Sequence, residues 1–359
     1  MQNRLQTLQH RLGQEGVDCA IFGPTNSMLY LLGGIPHPDE RLCLLMVTPD
    51  AVQMVAPQLN ADIIASFTDV PMLTWEDASG PDSALSQSIL RKENIRTLAT
   101  DGSMRADFLL AALRSCSPNR TISADPIIAG LRIVKSPREI EALADAAAQA
   151  DRAMQAAVDA CIPGATEAEI GWAAEEAFRR DGAQRVEFTL VAAGANAAFP
   201  HHNTGEKKLQ EGEGIIIDIG ASLNGYKSDI TRVVFLGDPD KEFLGAYELV
   251  KRANTSGRDI VRPGAKAEEI DSEARSVIEE AGMGDFFLHR TGHGLGLDIH
   301  EEPWIQAGNT TSIKQGMVFS IEPGVYVAGR FGIRVEDIVV ATPEGCRTLT
   351  CFDHSLTIK

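Results

Sequence analysis

The sequence predicts two domains, an α/β domain at the N-terminus and a second domain that contains a duplicated unit. Three observations indicate this: strand and helix patterns alternate up to about residue 125, a strong helix-start signal follows at residues 136–139, and a short sequence recurs 100 residues further on. At 359 residues the chain is long enough for two hydrophobic cores. We therefore place the domains at residues 1–130 and 131–359.

The N-terminal segment begins with a helix pattern, in which Leu5, Leu8 and Leu12 recur on one face. Further elements are predicted as strands at residues 19–23, 41–48, 51–56 and 95–100, and as helices at residues 83–92 and 106–115. This alternation is typical of an α/β domain. His10 and His37 have no acidic or histidine neighbours at ligand spacing, so we interpret both as structural.

The second domain is predicted to begin with a long helix. Ser136 and Glu139 form a capping box, with Pro137 in the first helical position. Residues 162–170, IPGATEAEI, are similar to residues 262–270, RPGAKAEEI, and in each copy a Pro-Gly turn precedes a helix pattern. Similarity at a fixed offset indicates a duplicated unit, so we expect two related halves.

Four acidic residues of this domain have unusual, apolar surroundings. Asp218 ends the run IIID, and Asp229 follows a predicted Asn-Gly hairpin turn. Glu322 and Glu336 lie within or beside β-rich apolar segments, 14 residues apart, where the first two acids are 11 apart. A lone carboxylate is costly to bury, and converging carboxylates repel one another. Two divalent cations would offset all four charges.

A fifth candidate ligand, His293, lies in the segment TGHGLGLDIH. The motifs around the five positions are, in order, D-x-G, S-D-x-T-R, G-H-G-L-G-L-D-I-H, I-E-P-G and G-I-R-V-E-D. In type, order and surroundings they resemble the pita-bread metallopeptidases, a family that includes Xaa-Pro dipeptidases (prolidases), aminopeptidase P and methionine aminopeptidases. The resemblance runs from about Pro137 to the C-terminus.

The resemblance implies a creatinase-like α/β domain followed by an α+β pita-bread (creatinase/aminopeptidase) catalytic domain with pseudo-twofold halves. It also implies a dinuclear metal centre, in which Asp218 would bind one ion, His293 and Glu322 would bind the other, and Asp229 and Glu336 would bridge both. A mostly oxygen ligand set without thiolate fits Mn²⁺ well, and Zn²⁺, Co²⁺ or Fe²⁺ remain alternatives. Such ions can activate water for amide hydrolysis.

Two histidines are implied to act on the substrate. His300 would contact the substrate carbonyl and the tetrahedral intermediate. His201, in FPHHNTG, is the expected substrate-side histidine, and its neighbour His202 is the alternative. Glu322 would also shuttle a proton from the attacking water.

Three further residues are candidates for supporting the ligands. Tyr226 and Arg334 belong to the matched motifs, where the resemblance implies contacts with the two bridging acids. His289, four residues before the histidine ligand, either orients the site or fills space. His354 matches no motif and is interpreted as structural.

The leading function is that of a dinuclear-metal exopeptidase, an Xaa-Pro dipeptidase acting on peptides with proline in the second position. The alternative is an Xaa-Pro aminopeptidase (aminopeptidase P) on longer peptides; more remote are a creatinase-like C–N hydrolase and a non-catalytic binding module, whose relatives lack the full ligand set. In many relatives an arginine between the positions of His300 and Glu322 can bind the substrate's terminal carboxylate. Here that interval contains only Lys314, so dipeptidase and aminopeptidase both stay open.

Composition argues against other classes of function. A net charge of -17 and a pI near 4.9 disfavour a nucleic-acid partner. No apolar run approaches the length of a membrane span, and the N-terminus lacks the apolar core of a signal peptide. Six scattered cysteines without CxxC spacing predict reduced thiols. We expect a cytoplasmic protein without membrane partners, and the resemblance implies an oligomer, which we expect to be a homodimer.

Overall fold

The computed structural model describes residues 2–359. Two compact units divide the chain, Met1–Arg132 and Ile133–Lys359. The elements of the first unit are α1 (Gln2–Glu15), β1 (Cys19–Phe22), α2 (Asn26–Leu32), β2 (Leu44–Val47), β3 (Val52–Pro57), α3 (Ala61–Ala65), β4 (Met72–Trp75), α4 (Asp82–Gln87), α5 (Ile89–Lys92), β5 (Thr97–Thr100), α6 (Ala106–Cys116), β6 (Arg120–Ser123) and α7 (Asp125–Arg132).

The first unit is a six-stranded mixed sheet in the order β4-β3-β2-β1-β5-β6. Leu8 and Leu12 of α1 are buried, as the helix pattern predicts. The four predicted strands are present, but the helix expected at residues 83–92 is split into α4 and α5. Ser88 lies between them with an extended backbone, at φ -77° and ψ 169°, which ends the first helix.

The second unit contains four long helices and the remaining strands. Its elements are α8 (Pro137–Ala160), α9 (Glu167–Arg180), β7 (Arg185–Ala193), β8 (Gly214–Leu223), β9 (Tyr226–Lys227), β10 (Ile230–Phe235), α10 (Lys241–Asp259), α11 (Ala267–Glu280), β11 (Gly292–Gly294), β12 (Glu301–Ile305), β13 (Val318–Ile321), β14 (Gly324–Val327), β15 (Phe331–Arg334), β16 (Asp337–Thr342), β17 (Gly345–Thr348) and β18 (Thr357–Ile358).

The long helix predicted from the capping box is observed as α8. Ser136 accepts a hydrogen bond from the backbone N–H of Glu139, whose side chain accepts one from the backbone of Ser136, and Pro137 occupies the first turn. The predicted duplication also has a structural counterpart. The helix after each Pro-Gly turn covers the same positions 100 residues apart, 167–180 in α9 and 267–280 in α11.

Each half consists of a helix pair and a sheet. The first sheet has the order β18-β10-β8-β7, with β9 paired to β8, and the second has the order β12-β11-β13-β16-β17. The β8–β9 connection is the predicted hairpin turn, because Asn224 and Gly225 have φ values of 52° and 84°, as a type I′ turn requires. Ile215, Ile217 and Ile219 of β8 pack beneath α8 and α9.

Among the described residues, no helix combines the length and apolar character that a membrane crossing requires. All six cysteines are free thiols in the structure.

Candidate active site

The first pair of predicted ligands lies on neighbouring strands of the first half. Asp218 on β8 is directly opposite Thr231 on β10, and Asp229 immediately precedes β10. Side chains alternate between the two faces of a strand. Ile217 and Ile219 pack into the core under the helices, so Asp218 lies on the opposite face of the sheet.

The second pair occupies corresponding places in the other half. Ile321, the last residue of β13, is paired with Asp337, the first residue of β16. Glu322 and Glu336 are the next residues outward at the same end of these strands. In both halves, therefore, one acid directly precedes a strand. The partner of that strand carries the other acid in the first half and ends directly before the other acid in the second half, as the internal repeat predicts.

The predicted histidine ligand lies on the short strand β11, between two glycines that the packing requires. A Cβ atom on Gly292 would lie 1.9 Å from the carbonyl oxygen of Ser320, and one on Gly294 would lie 2.2 Å from that of Glu302. Neighbouring backbone on both sides leaves no space for a larger residue. The G-H-G motif thus allows β11 to approach its neighbours closely while His293 projects into the site.

All five predicted ligands line one cavity of about 960 Å³. Ligand atoms of Asp229, His293 and Glu336 lie within 4.8 Å of one another. The Nε2 atom of His293 is 3.2 Å from Glu322 Oε1 and 3.8 Å from Asp229 Oδ2. The Oδ1 atom of Asp218 is buried and has no hydrogen-bond partner among the described residues.

The charges of this cluster are poorly balanced by the protein itself. Burial, followed by repulsion from neighbouring carboxylates, raises the pKa of Asp229 and Glu336 well above the usual range. Burial also raises the pKa of Asp218, although the nearby Arg334 opposes it. Burial would raise the pKa of Glu322 as well, but the hydrogen bond and charge of His293 lower it to about 2. Convergent oxygen donors with excess negative charge fit hard divalent cations.

Arg334 provides the one guanidinium that is bonded to these acids among the described residues. Its Nη2 donates to Asp218 Oδ2 at 2.6 Å, its Nη1 to the hydroxyl of Tyr326 at 2.7 Å, and its Nε to Thr231 Oγ1 at 3.2 Å. The Thr231 hydroxyl in turn donates to Glu336 at 2.7 Å. Arg334 therefore supports Asp218 directly and Glu336 through Thr231, whereas the resemblance implied contacts with the two bridging acids.

His289 takes part in the same network. Its Nε2 lies 2.8 Å from the Tyr326 hydroxyl and its Nδ1 lies 2.7 Å from the Arg290 carbonyl oxygen. Loss of solvent is the main cause that lowers the pKa of His289. Of its two predicted roles, orienting the site and filling space, the geometry favours the first.

The prediction that Tyr226 supports the bridging acids is wrong. Its hydroxyl donates to Glu139 Oε1, at 3.0 Å, in the capping box of α8. Tyr226 is paired with Leu223 across the hairpin. Odd-numbered residues of β8 face the helices, so Tyr226 lies on the face of the sheet opposite to Asp218. Tyr326, which the sequence patterns do not single out, makes the supporting contact instead.

The neighbouring histidines His201 and His202 lie in different environments. His202 Nε2 lies 2.9 Å from Glu167 Oε2, and Glu167 is fully buried at the start of α9. His201 is exposed and also lines the cavity. His300 lies edge-on to His293, with ring centroids 4.3 Å apart. Partial desolvation, then the charges of His293 and Arg290, lower the pKa of His300 to about 4.

Matches to two family models identify the family to which the chain belongs. Residues 141–343, more than half of the chain, match the model of metallopeptidase family M24, and residues 4–134 match that of the Creatinase/Prolidase N-terminal domain. The chain belongs to metallopeptidase family M24. The predicted family, the fold class and the assignment as a metallopeptidase are thereby confirmed.

Similar M24 proteins match nearly the whole chain. A probable dipeptidase, PepE, of Mycobacterium tuberculosis is 35% identical over 96% of this chain and 92% of its own length. An Xaa-Pro dipeptidase of Pyrococcus furiosus is 31% identical over 99% of this chain and all of its own length. The crystal structure of a prolidase from Thermococcus sibiricus has a TM-score of 0.94 and 33% identity, covering 100% of this chain and 99% of that chain.

Two residues of this M24 site were missed by sequence reasoning. Glu167 lies in the internal repeat, where its counterpart is Ala267, so a difference between the copies was the available signal. Arg290 directly precedes the TGHG segment and lines the cavity. Its position had no signal of its own in the sequence.

A buried ion pair lies behind Glu336. Arg232 Nη1 donates to the Glu336 carbonyl oxygen at 2.6 Å, and its Nη2 donates to Asp337 Oδ1 at 2.9 Å. His354 Nε2 lies 2.9 Å from the same Asp337 oxygen. Asp337 is fully buried and Arg232 is 2% exposed. His354 thus has a structural contact, in agreement with its interpretation from the sequence.

The raised pKa of Asp229 predicts that its effect on stability depends on pH. A buried acid with a raised pKa keeps its proton in the folded state at pH values where the unfolded chain has released it, so it destabilises the fold increasingly as pH rises above about 4. The metal-free Asp229→Asn variant should therefore gain stability relative to wild type as pH rises. The gain is at most about 1.4 kcal/mol per pH unit and levels off once the pH passes the folded-state pKa of Asp229.

Chemical denaturation between about pH 4.5 and 8 in the presence of a chelator measures this difference. Asp238→Asn, which changes an exposed carboxylate outside the cavity, is the matched control. A constant difference between the Asp229 variant and wild type over this range would contradict the prediction.

Proposed function

We propose that the protein is a dinuclear-metal exopeptidase that hydrolyses Xaa-Pro dipeptides. The observation that carries the proposal is the convergence of four carboxylates and one imidazole on a single cavity in a chain of family M24. Similarity to an Xaa-Pro dipeptidase over the full chain supports the choice of substrate. Phe188, Leu190 and Ile299 also line the cavity and provide apolar surface suited to a proline ring.

We assign the ligands as the sequence predicts. Asp218 would hold one ion, with its unpartnered Oδ1 as donor, and His293 and Glu322 would hold the other. Asp229 and Glu336 would bridge the two ions, which fits their raised pKa values, because a cation stabilises the ionised carboxylates that burial disfavours. Bound divalent ions would lower the pKa of a water molecule and polarise the scissile carbonyl. We propose Mn²⁺ as the physiological ion.

The chain's own residues would move the proton and stabilise the developing charge. Glu322 lies 3.2 Å from His293 Nε2 in the cavity, and its carboxylate can accept a proton from the attacking water and then transfer it to the leaving proline nitrogen. His300 is uncharged at neutral pH, because its pKa is lowered to about 4. As a neutral imidazole it can donate an N–H to the carbonyl oxygen as negative charge develops there. His201 would contact the substrate from the exposed side.

The test is a panel of peptides incubated with protein loaded with Mn²⁺, Co²⁺ or Zn²⁺. We expect release of free proline from Xaa-Pro dipeptides, with the highest rate in Mn²⁺, and little release of alanine from Ala-Ala. Preferential cleavage of longer Xaa-Pro peptides would support the aminopeptidase alternative. A protein that binds no metal and hydrolyses none of these peptides would contradict the proposal.

Replacing His300 with alanine is expected to lower kcat by about 10²–10³-fold, as does removal of a single donor to a developing oxyanion in other enzymes. Metal content should stay unchanged, because His300 is not among the proposed ligands. Steady-state kinetics and elemental analysis of the same preparations measure both quantities. His10→Ala, which alters an exposed histidine of α1 outside the cavity, serves as the histidine control. Unchanged kcat, or loss of metal together with activity, would contradict the assigned role.

The remaining aspects of the proposal concern the state of the protein in the cell. Six free thiols fit a reducing compartment, so we propose a cytoplasmic location. We also propose a homodimer, which light scattering of the purified protein can test.

A further inference from the structure

The imidazole of His300 has few contacts of its own that fix its position in the cavity. It lies edge-on to the imidazole of His293, with ring centroids 4.3 Å apart, and no described residue forms a hydrogen bond with it. The residue is also exposed. The position of this imidazole therefore depends on the backbone that carries it, which is the loop of residues 295–300 between β11 and β12.

Glu301, the residue directly after His300, contacts the backbone of this loop. Its Oε2 accepts a hydrogen bond from the N–H of Asp298 at 3.4 Å. A Cβ atom on Gly296 would lie 2.7 Å from Glu301 Oε1 and 2.9 Å from Oε2, so the carboxylate packs against the loop where only a glycine leaves room. One carboxylate thus contacts the loop at two points before His300.

Lys135 binds the same carboxylate with a buried ammonium group. Its Nζ donates to Glu301 Oε1 at 2.6 Å, and the two side chains are only 3% and 10% exposed. The backbone N–H of Lys135 donates to the carbonyl oxygen of Gly316 at 2.9 Å, and Val134 forms a bridge with Met317, directly before β13. Lys135 is therefore anchored at the start of the central strand of the second sheet.

We propose that Lys135 is a positioning residue for His300 that acts through its ion pair with Glu301, an inference that rests on the proposed function. A donor to a developing oxyanion contributes only when it lies within hydrogen-bond distance of that oxygen. A displacement of about 1 Å can lower a rate by about 10²-fold. Because the ion pair anchors the residue next to His300, it limits how far the imidazole can move.

The alternative is that the ion pair only stabilises the fold. Breaking a buried pair by removing one partner is destabilising, and lower stability can reduce the amount of active protein. The two roles predict different couplings with His300. A pair that only stabilises the fold would act equally with and without the imidazole, whereas a positioning residue would have no effect once the imidazole is removed.

The test is a double-mutant cycle of Lys135→Met and His300→Ala, measured with Ala-Pro on protein loaded with Mn²⁺. Lys135→Met alone should lower kcat by about 10–10²-fold and change KM less than about threefold, with unchanged metal content. In the His300→Ala background the same substitution should change kcat less than about twofold. Lys251→Met, which removes an ammonium paired with Glu248 on α10, is the matched control and should behave as wild type.

A second variant separates the positioning role from misfolding. Lys135→Met leaves the Glu301 carboxylate buried without its counterion, whereas Lys135→Met combined with Glu301→Gln removes both charges. This double variant should have the wild-type circular dichroism spectrum and should show the same loss of kcat as Lys135→Met. Wild-type kcat in the folded double variant would overturn the proposal.

Amide hydrogen exchange provides a readout without turnover. Backbone amides of residues 295–300 should exchange at least about tenfold faster in Lys135→Met than in wild type, while amides of α10 keep their wild-type rates. Unchanged exchange of the loop, or equal factors of kcat loss with and without the His300 imidazole, would overturn the role of Lys135 and leave the proposed function standing. Absence of Ala-Pro hydrolysis by wild type would overturn the proposed function instead, and the exchange rates would still show whether the ion pair fixes the loop.

Discussion

Replacing Glu336 with glutamine is expected to lower kcat/KM for Xaa-Pro dipeptides by about 10³-fold or more. Glu336 is a proposed bridging ligand whose donor atoms lie close to those of both Asp229 and His293. Metal ions supply several kcal/mol of transition-state stabilisation, and about 4 kcal/mol corresponds to a thousandfold change in rate. The fold should persist, because Arg232 is bonded to the carbonyl oxygen of Glu336, which the substitution retains.

Kinetics, elemental analysis and circular dichroism of the same preparation test this expectation. The variant should lose metal while keeping the wild-type spectrum. Glu344→Gln, which alters an exposed carboxylate between β16 and β17, is the matched control and should have wild-type activity. Near-normal turnover with two bound ions in Glu336→Gln would refute the bridging role.

Replacing Asp337 with asparagine is expected to lower the free energy of unfolding by about 3–5 kcal/mol, the usual effect of breaking a buried ion pair by removing one partner. Asp337 is fully buried and pairs with Arg232, which is itself 2% exposed. The His354 hydrogen bond and the charge of Arg232 lower the pKa of Asp337 in spite of its burial. Asparagine keeps the size of the side chain but leaves the Arg232 charge buried without its counterion.

The control for this experiment is Glu242→Gln, which breaks the exposed pair between Glu242 and Arg330. Exposed pairs contribute less than about 1 kcal/mol, so this variant should unfold like wild type. Urea denaturation of both variants provides the comparison. Equal stability of Asp337→Asn and wild type would show that the Arg232 charge is compensated by other groups.

The site could be predicted where short motifs carry the information. A Cβ atom at either glycine of the G-H-G motif would lie within 2.2 Å of a neighbouring carbonyl oxygen, so the motif reports a fixed local geometry. The capping box at Ser136 and the Asn224-Gly225 turn are likewise local, and both are observed. The internal repeat predicts two similarly placed helices, because similar sequences at a fixed offset form similar structural units.

The supporting residues could not be predicted in the same way. Tyr226 and Tyr326 both follow a predicted ligand segment, and only the faces of the strands distinguish them. One tyrosine bonds to Glu139 and the other to Arg334, over separations of 87 and 8 residues. The sequence patterns did not mark Arg290, because any element that borders a cavity can contribute a cationic side chain to its lining.

The sequence by itself determined the family, the order of the predicted ligands and the two-halved catalytic unit, because these depend on local motifs and on similarity along the chain. The tertiary structure alone decided which side chains support the predicted ligands, which histidine of the pair at 201 and 202 is held by Glu167, and which arginine is bonded to Asp218. Those choices depend on strand faces and on hydrogen bonds between distant segments, which become defined only when the two sheets are assembled around one cavity.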